Sequence, residues 1–340
     1  MTIQTVSAEQ CFSWAHDITY CPDYLTLTPV FISLLHTLEW VHTADAYEIY
    51  DTSKTKFTTD IDSLQLHITK LPLDFGNDEN TNNHPPALNN PLPKTIEITH
   101  ENGLHHAILP VATDSGPDRA ILVKGLFNDD AVTLLSHLLK LYRNQVILHD
   151  HKERDVLTNL PNRQSLEMRL MEVCDYYQRN KHTQFEASEQ LKYSWIAVLD
   201  IDNFKRVNDN FGHLYGDEVL LHFSQLMQRK FRHIDFLFRY GGEEFVVILN
   251  RVNATDARTV FDRFRSAVET YNFPLVGKVT VSIGVTCIQG STILPMTLLD
   301  RADKSLYYAK EHGRNQVVMY EDMEIIAEDT DNDLNDIELF

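Results

Sequence analysis

The apolar and polar positions in the first third of the chain predict a small α+β domain. Apolar residues at helical spacing predict a helix through Phe31, Leu34, Leu35, Leu38 and Val41. Residues 46–50 then predict a short strand, whereas residues 72–95, rich in Asn, Pro and Asp, predict a long loop. The run TIEITHENGLHHAILPVA predicts a strand, a turn and a strand, and RAILVKGLF predicts another strand. We expect residues 1–128 to form a domain of their own.

Residues 129–152 contain no helix breaker and predict one long helix that joins the two halves of the chain. Positions that step by three and four, as in a coiled-coil seam, are Ala131, Leu134, Leu138, Leu141, Gln145 and Leu148. Leu135 and Tyr142 widen this stripe, so one face could pack on the N-terminal domain while the seam pairs with a second chain. The alternative is a helix buried within one subunit.

From near Arg154 onward, strand and helix patterns alternate along the chain. YSWIAVLDID predicts a buried strand, GDEVLLHFSQLMQRKF an amphipathic helix, and FRYGGEEFVVIL a β-hairpin. ATDARTVFDRFRSAVETY and LLDRADKSLYYAKEHG predict helices on either side of the strand KVTVSIGVTCI. This alternation predicts a sheet with helices packed on it, in the α/β or α+β class.

The composition narrows the range of partners and compartments. A formal charge of −19 on 340 residues argues against binding to nucleic acid or to an anionic membrane, because phosphate backbones require a basic surface. The sequence has no run of 18 apolar residues and no signal-peptide pattern, and its four cysteines are scattered. We therefore expect a cytoplasmic protein. Residues 321–340 carry nine acids and no Lys or Arg, which predicts a disordered tail.

Two glutamates, Glu243 and Glu244, stand side by side at the predicted hairpin turn, where their charges repel each other. A solvated surface turn built on Gly-Gly is one interpretation. Another comes from Asp200 and Asp202, which end the apolar strand and would point to one face at positions i and i+2. If the hairpin lies beside that strand, the acids converge, and carboxylate and main-chain oxygens suit Mg²⁺ together with phosphates. A divalent ion between the acids would neutralise their repulsion.

Basic side chains that could contact phosphates occur at Lys205, Lys310 and Arg314. Lys310 and Arg314 are four residues apart, which places them on one helical face if the last turn of the helix holds. Arg makes a forked contact with phosphate oxygens, and Lys acts as a point charge. Two solvated charges at a helix end are the alternative.

The motifs of residues 153–320 resemble, in order and spacing, those of the GGDEF family of diguanylate cyclases. They are DVLTNLPNR (155–163), DIDNFKRVNDNFGHLYGDEVL (200–220), RYGGEEF (239–245), VSIGV (281–285) and ADKSLYYAKEHGRN (302–315). The signature itself is in the Glu variant, GGEEF. Asn159 stands where the family usually has Gly, and we expect this change to be tolerated because Asn also adopts positive φ readily.

The resemblance implies a ferredoxin-like palm domain that joins two GTP molecules into cyclic di-GMP and releases two pyrophosphates. Carried over to this sequence, Asp200, the main-chain carbonyl of Ile201, and Glu243 would hold the metal. The family uses two Mg²⁺ ions in each half-site, and Mn²⁺ is an expected substitute. Glu243 would also be the base for the attacking 3′-hydroxyl, with Glu244 assisting at the metal.

The resemblance also implies the substrate contacts. Asn208 and Asp217 would read the guanine edge, and His213 would line the same pocket. The residues implied at the phosphates are the cations Lys205, Lys310 and Arg314 and the glycines Gly241 and Gly242, where a side chain would collide with the triphosphate. Because each palm holds one GTP, two copies must face each other in a homodimer, and the 129–152 helix would set how they meet.

An R-x-x-D motif, Arg232 to Asp235, lies shortly before the signature. In the family, this motif at this offset forms an inhibitory site for the product, and Arg263 falls where a second arginine contributes. An ordinary surface ion pair is the alternative interpretation.

The N-terminal region resembles a GAF domain in the order of its elements, and a PAS-like domain is the competing interpretation. Its histidines lack ligand spacing, which favours packing or surface roles over haem or metal: His36, His42, His67, His84, His100, His105 and His106. The sequence therefore favours a diguanylate cyclase regulated by its N-terminal domain. A module that binds GTP or cyclic di-GMP without turnover and a purely structural dimerisation protein are the alternatives.

Overall fold

The computed structural model describes residues 6–51, 66–71, 73, 85–113, 117–179, 192–232, 234–288 and 294–323. The chain divides into two compact units, residues 1–153 and 154–340. Most of the predicted acidic tail and much of the predicted 72–95 loop lie outside the described residues. Within the described part, no helix combines the length and the apolar character needed to cross a membrane.

The described part of the first unit is an antiparallel sheet of five strands with helices packed on it. In chain order its elements are α1 (Ala8–Thr19), α2 (Tyr24–His36), β1 (Val41–Asp51), β2 (Leu66–Leu71), a 3-10 turn (Pro86–Asn89), β3 (Glu97–Glu101), β4 (Leu104–Val111), β5 (Asp118–Gly125) and α3 (Asp129–Lys152). The strand order is β2-β1-β5-β4-β3. The predicted strand, turn and strand at β3 and β4, and the predicted strand at β5, are confirmed.

The helix predicted through Val41 is wrong at its C-terminal end, because α2 stops at His36. Leu38 lies in the turn that follows, and Val41 begins β1, which has 11 residues and not only the segment 46–50. Leu38 and Val41 are both buried. The apolar spacing therefore continues past the end of the helix because the turn and the strand also face the core.

The long helix α3 begins after the Asn128 cap and packs along the core of the first unit. Its buried apolar face consists of Ala131, Leu135, Leu138, Leu139, Tyr142 and Val146. Ala131 and Leu138 were predicted to lie in a coiled-coil seam, but they are buried within their own subunit. For these two positions the alternative interpretation is correct, whereas Leu148 of the same predicted seam is 58% exposed.

The second unit is built on another five-stranded sheet. In chain order its elements are α4 (Arg163–Arg179), β6 (Tyr193–Ile201), α5 (Phe204–Phe211), α6 (His213–Lys230), β7 (Phe236–Arg239), β8 (Glu244–Val252), α7 (Ala254–Thr270), β9 (Val281–Ile288), α8 (Pro295–Glu311) and β10 (Val317–Met319). The strand order β10-β9-β6-β8-β7 places β6 at the centre, antiparallel to both of its neighbours. The predicted mixed α+β architecture is confirmed for this unit.

The packing of the second unit fixes the position of β6, which is buried on both faces. On one face, α6 and α7 supply aromatic side chains such as Phe223 and Phe264, whose rings meet edge to face. On the other face, α8 contacts β9 directly at Gly284, where a Cβ would collide with the main-chain carbonyl of Ala302. The C-terminal end of β6 is thus held between β8 and β9, and this end carries Asp200.

Candidate active site

The end of β6 and the tip of the β7–β8 hairpin bring three carboxyl groups together. We call the group formed by Asp200, Glu243 and Glu244 the acid corner. Asp200 is 5% exposed and lies opposite Glu244 in the β6–β8 register. One residue further along, the main-chain N–H of Ile201 donates to the carbonyl oxygen of Glu243 at 3.4 Å. The acids of two segments about 40 positions apart in the sequence are therefore neighbours in space, because β6 and β8 pair in this register.

The acid corner is short of positive charge. Burial raises the pKa of Asp200, and the Lys310 ammonium partly offsets this effect. Burial also raises the pKa of Glu243 and of Glu244, and the charge of Asp200 raises both further. Each carboxyl group thus resists ionisation in the presence of the others, and a cation at this corner would stabilise the ionised forms.

Lys310 lies against this corner, with its Nζ atom 2.8 Å from Oδ2 of Asp200. The ammonium is about one-third exposed, whereas the carboxylate is almost fully buried. The shared helical face predicted for Lys310 and Arg314 required the last helical turn to continue to Arg314, and it does not. α8 ends at Glu311, and Gly313 and Arg314 then adopt positive φ, which turns the chain away from the helix axis. The Arg314 side chain is exposed beyond that turn.

Asp202 does not join the acid corner, although the sequence pattern paired it with Asp200. β6 ends at Ile201, so the alternation of strand side chains does not extend to Asp202. Its carboxylate accepts hydrogen bonds from the hydroxyl groups of Thr280 and Ser282, both at 2.7 Å, and from the main-chain N–H of Asn315 at 3.1 Å. Asp202 therefore fastens the turn that carries Arg314 to the edge of β9.

The hairpin tip is not the two-residue Gly-Gly turn that one sequence interpretation offered. Four residues, 240–243, connect β7 to β8, and Gly241 and Gly242 both have negative φ. The main-chain N–H groups of Tyr240 and Gly241 both donate to the carbonyl oxygen of Glu244. A Cβ at Gly241 would press on the Glu244 carboxylate, whereas a Cβ at Gly242 would meet open space. Gly241 thus leaves room for an acid of the corner, and Gly242 leaves the tip open to a ligand.

Arg239 holds the hairpin tip to the start of the second unit. Its guanidinium donates to Asp155 and to the carbonyl oxygen of Gly242, both at 2.8 Å. Burial alone would raise the pKa of Asp155, but the hydrogen bonds from Arg239 and Thr158 outweigh it and lower the pKa. Asn159 in the same segment has a φ of 58°, so the predicted positive-φ position is confirmed.

The predicted guanine-reading residues cluster at the corner between α5 and α6. Asn208 on α5 lies so close to Gly216 on α6 that a Cβ at Gly216 would overlap the Asn208 amide oxygen. Gly216 precedes Asp217, which is exposed, as is His213 in the first turn of α6. Lys205 is exposed on α5. The structure thus brings Asn208 close to the start of α6, with polar side chains open to a ligand on both helices.

The R-x-x-D motif forms an internal ion pair. The Arg232 guanidinium donates to both oxygens of Asp235, and the main-chain N–H of Asn250 also donates to this carboxylate. The Asp235 side chain is only 1% exposed, and these hydrogen bonds occupy both of its carboxylate oxygens. Arg232 is 45% exposed. Arg263 on α7 donates to the carbonyl oxygen of Lys230, which lies just before Arg232 in the sequence. The cations, but not the buried acid, are open to solvent here.

Comparisons with known proteins locate a single family in the second half of the chain. The family described as "Diguanylate cyclase, GGDEF domain" matches residues 152–316. Similar proteins include the diguanylate cyclase DgcP of Pseudomonas aeruginosa, 37% identical over 50% of this chain and 25% of that protein. The response regulator PleD of Caulobacter vibrioides is 44% identical over 36% of this chain and 28% of that protein.

Among solved structures, the diguanylate cyclase SiaD in complex with its activator SiaC from Pseudomonas aeruginosa is 33% identical, with a TM-score of 0.48. The match between the two covers 56% of this chain and 71% of the SiaD chain. The chain spans about a quarter to a third of the length of the curated relatives it matches. The family model matches residues 152–316, and curated relatives of this chain are named as diguanylate cyclases, so residues 152–316 form a GGDEF domain.

Proposed function

We propose that this chain is a diguanylate cyclase, which joins two GTP molecules into cyclic di-GMP and releases two pyrophosphates. The observation that carries the proposal is the corner where Asp200, Glu243 and Glu244 meet beside Lys310. Phosphoryl transfer requires concentrated positive charge at the phosphates, and an acid corner of this kind recruits it as metal ions. Relatives of this chain that are named as diguanylate cyclases are 36–37% identical to it over about half of its length.

The acid corner fits a divalent cation. Mg²⁺ usually takes one or two carboxylates and completes its shell with substrate phosphates and water. Asp200, Glu243 and the main-chain carbonyl of Ile201 would supply the protein oxygens. Within the described residues, no group of three or more His, Cys, Asp or Glu side chains is placed to hold a metal ion on its own. When bound, Mg²⁺ or Mn²⁺ would supply the positive charge that phosphoryl transfer needs.

The other residues act on the nucleotide. Glu243, with its raised pKa, would accept the proton of the attacking 3′-hydroxyl, since a base works best when its pKa lies near the operating pH. Asn208 and Asp217 would hydrogen-bond the guanine edge, with His213 at the wall of that pocket. The phosphates would be held by Lys205, Lys310 and Arg314, with Gly241 and Gly242 allowing close approach and Glu244 completing the acid corner.

Two features would regulate the reaction. One palm domain holds a single GTP, so ring closure requires a homodimer in which two domains face each other. The N-terminal unit, GAF-like or PAS-like, would set how often they meet.

Cyclic di-GMP would inhibit through Arg232 and Arg263, with Asp235 holding Arg232 in place. Arg232→Ala should then relieve inhibition by added cyclic di-GMP while leaving the initial rate intact.

The test is a turnover assay of the full chain with GTP and Mg²⁺. We expect cyclic di-GMP from the wild-type chain, and a loss of about 10³-fold or more in Glu243→Gln, since the proton acceptor and a metal ligand are removed together. GTP binding without turnover by the wild-type chain would point instead to a binding module. Neither binding nor turnover would point to a structural protein.

A further inference from the structure

An open groove lies on the outer side of the hairpin formed by β7 and β8. β8 pairs with β6 on the side of the acid corner and with β7 on the other side, at the edge of the sheet. The main-chain N–H of Arg239 at the end of β7 donates to the carbonyl of Pro161, which brings the start of α4 beside the hairpin tip. Between them is a cavity of about 460 Å³ lined by Arg163, Tyr240, Gly241 and Glu167, among others. Its volume falls in the range of small-molecule sites.

Arg163 presents a positive charge in this groove. Its guanidinium carbon lies 4.9 Å from the centre of the Tyr240 ring, a cation–π contact that holds the side chain over the hairpin tip. Its side chain is 59% exposed and pairs with Glu167 at 3.2 Å. The charge of Arg163 is close enough to the acid corner to act on Glu244 through space. An exposed ion pair of this kind contributes little to stability, so a phosphate can displace Glu167 at small cost.

The proposed reaction needs a positive charge on the outer side of the hairpin, where the groove lies. The cations proposed for a domain's own triphosphate, Lys205, Lys310 and Arg314, come from α5 and from the end of α8. Lys310 contacts Asp200 on the β6 side of the hairpin. The α-phosphate under attack belongs to the other GTP, which the facing copy carries. In the proposed dimer that nucleotide would face the hairpin tip from outside the domain, on the side where the groove opens beside Gly241.

We propose that Arg163 binds the phosphates of the GTP carried by the facing copy, so that it acts across the dimer. This inference rests on the proposed cyclase function and extends it. Glu243 and Arg163 of one chain then serve the same phosphodiester bond: Glu243 deprotonates the 3′-hydroxyl of the chain's own GTP, and Arg163 stabilises the phosphate it attacks. Pyrophosphate leaves as the new P–O bond forms, and the second bond is made by the same groups of the partner.

The first test compares single variants of the full chain. Arg163→Ala should lower kcat about 100-fold, the effect of removing one group that stabilises transition-state charge. Arg163→Lys, which keeps the charge but loses the fork, should recover part of the rate. Arg179→Ala, at an exposed arginine at the end of the same helix, is the matched control and should leave the rate unchanged. Because Arg163 is exposed, the melting temperature of Arg163→Ala should stay close to that of the wild type.

The second test assigns the bond that Arg163 serves, using mixed dimers and a readout for the linear dinucleotide with one bond formed. Wild type mixed with excess Glu243→Gln should accumulate the linear product, because one of the two bonds still forms. Wild type mixed with excess Glu243→Gln/Arg163→Ala should do the same, because both changes disable one bond. Glu243→Gln mixed with Arg163→Ala should give no more linear or cyclic product than Arg163→Ala alone, because each chain disables a different bond.

Each outcome decides the proposal. Linear product above the level made by Arg163→Ala alone, in the mixture of the two single variants, would overturn it, since Arg163 would then serve its own chain's nucleotide or none. An unchanged kcat in Arg163→Ala would overturn it too. A wild-type chain that makes no cyclic di-GMP would remove the proposed function itself, which is distinct from an active enzyme that is indifferent to Arg163.

Discussion

At the scale of single residues, the arrangement of like charges is the feature that most directly indicates chemistry. Asp200, Glu243 and Glu244 all have raised pKa values, chiefly because they are buried, and the charge of Lys310 acts on all three. Carboxylates on an ordinary surface turn are solvated and lie apart from one another, whereas these three are close together and at least partly buried. The acids oppose one another's ionisation, and a bound cation would relieve that repulsion.

Asp217 allows a test of base recognition at this scale. Asp217→Ala should reduce the preference for GTP over ATP by about 10- to 100-fold, because hydrogen bonds to the guanine edge are lost. The ratio of kcat/KM for the two nucleotides is the measurement. Glu218→Gln, an exposed neighbour on the same helix, should keep the preference. If Asp217→Ala prefers GTP as strongly as the wild type, guanine must be read by other residues.

Glu153 is a buried carboxyl group at the end of the first unit, with its pKa raised to about 7, chiefly by burial. A hydrogen bond from the Tyr24 N–H and the charge of Arg119 lower the pKa in part. Because the folded-state value exceeds the ordinary 4.5, the folded state binds more protons, and stability falls as pH rises from about 4.5 to about 7. Glu153→Gln should therefore raise the free energy of unfolding above this window by up to about 3 kcal/mol.

Denaturant unfolding of the full chain at about pH 8 and about pH 4 measures this effect. Glu153→Gln should stabilise the chain at the higher pH and bring little gain at the lower pH. Glu9→Gln, at an exposed glutamate on α1, should change neither value. A gain of equal size at both pH values would mean that packing, and not ionisation, is responsible.

At the scale of elements, β6, the hairpin and α8 converge because of sheet register and helix packing. The sequence predicted each of these elements, since its apolar runs, Gly-Gly pair and amphipathic spacing are strong local signals. It could not assign Asp200 and Asp202 to different partners, because an alternating acid pattern does not show where the strand ends. The sequence also did not show the four-residue hairpin tip or the end of α8 before Arg314, because both depend on tertiary contacts.

The turn after α8 carries the prediction at this scale. Asp202→Asn would replace one accepting oxygen by a donor that faces either the Ser282 hydroxyl or both the Thr280 hydroxyl and the Asn315 N–H. We expect a loss of about 1–3 kcal/mol in the free energy of unfolding. The KM for GTP should rise as well, because the loosened turn carries Arg314. Calorimetry together with GTP kinetics checks both, and a destabilised variant with an unchanged KM would separate this turn from phosphate binding.

At the scale of the whole molecule, the chain consists of two units, and the GGDEF match falls on the second. Its motifs could be read from the sequence because they combine residue type with fixed spacing. The N-terminal unit has no such signal, and its sheet order became visible only in the structure. The coiled-coil pattern of α3 was partly a core pattern, because heptad spacing and burial against a neighbouring helix look alike over three turns.

The central claim is that acids from β6 and from the hairpin share one divalent cation with a triphosphate. Titration of the full chain with Mn²⁺, in the presence of a GTP analogue that cannot be turned over and followed by electron paramagnetic resonance, measures this directly. We predict that Asp200→Asn and Glu243→Gln each weaken Mn²⁺ binding at least tenfold, a factor worth about 1.4 kcal/mol, while Asp262→Asn, at an exposed acid on α7, has no effect. Unchanged Mn²⁺ affinity in either acid variant would contradict the claim.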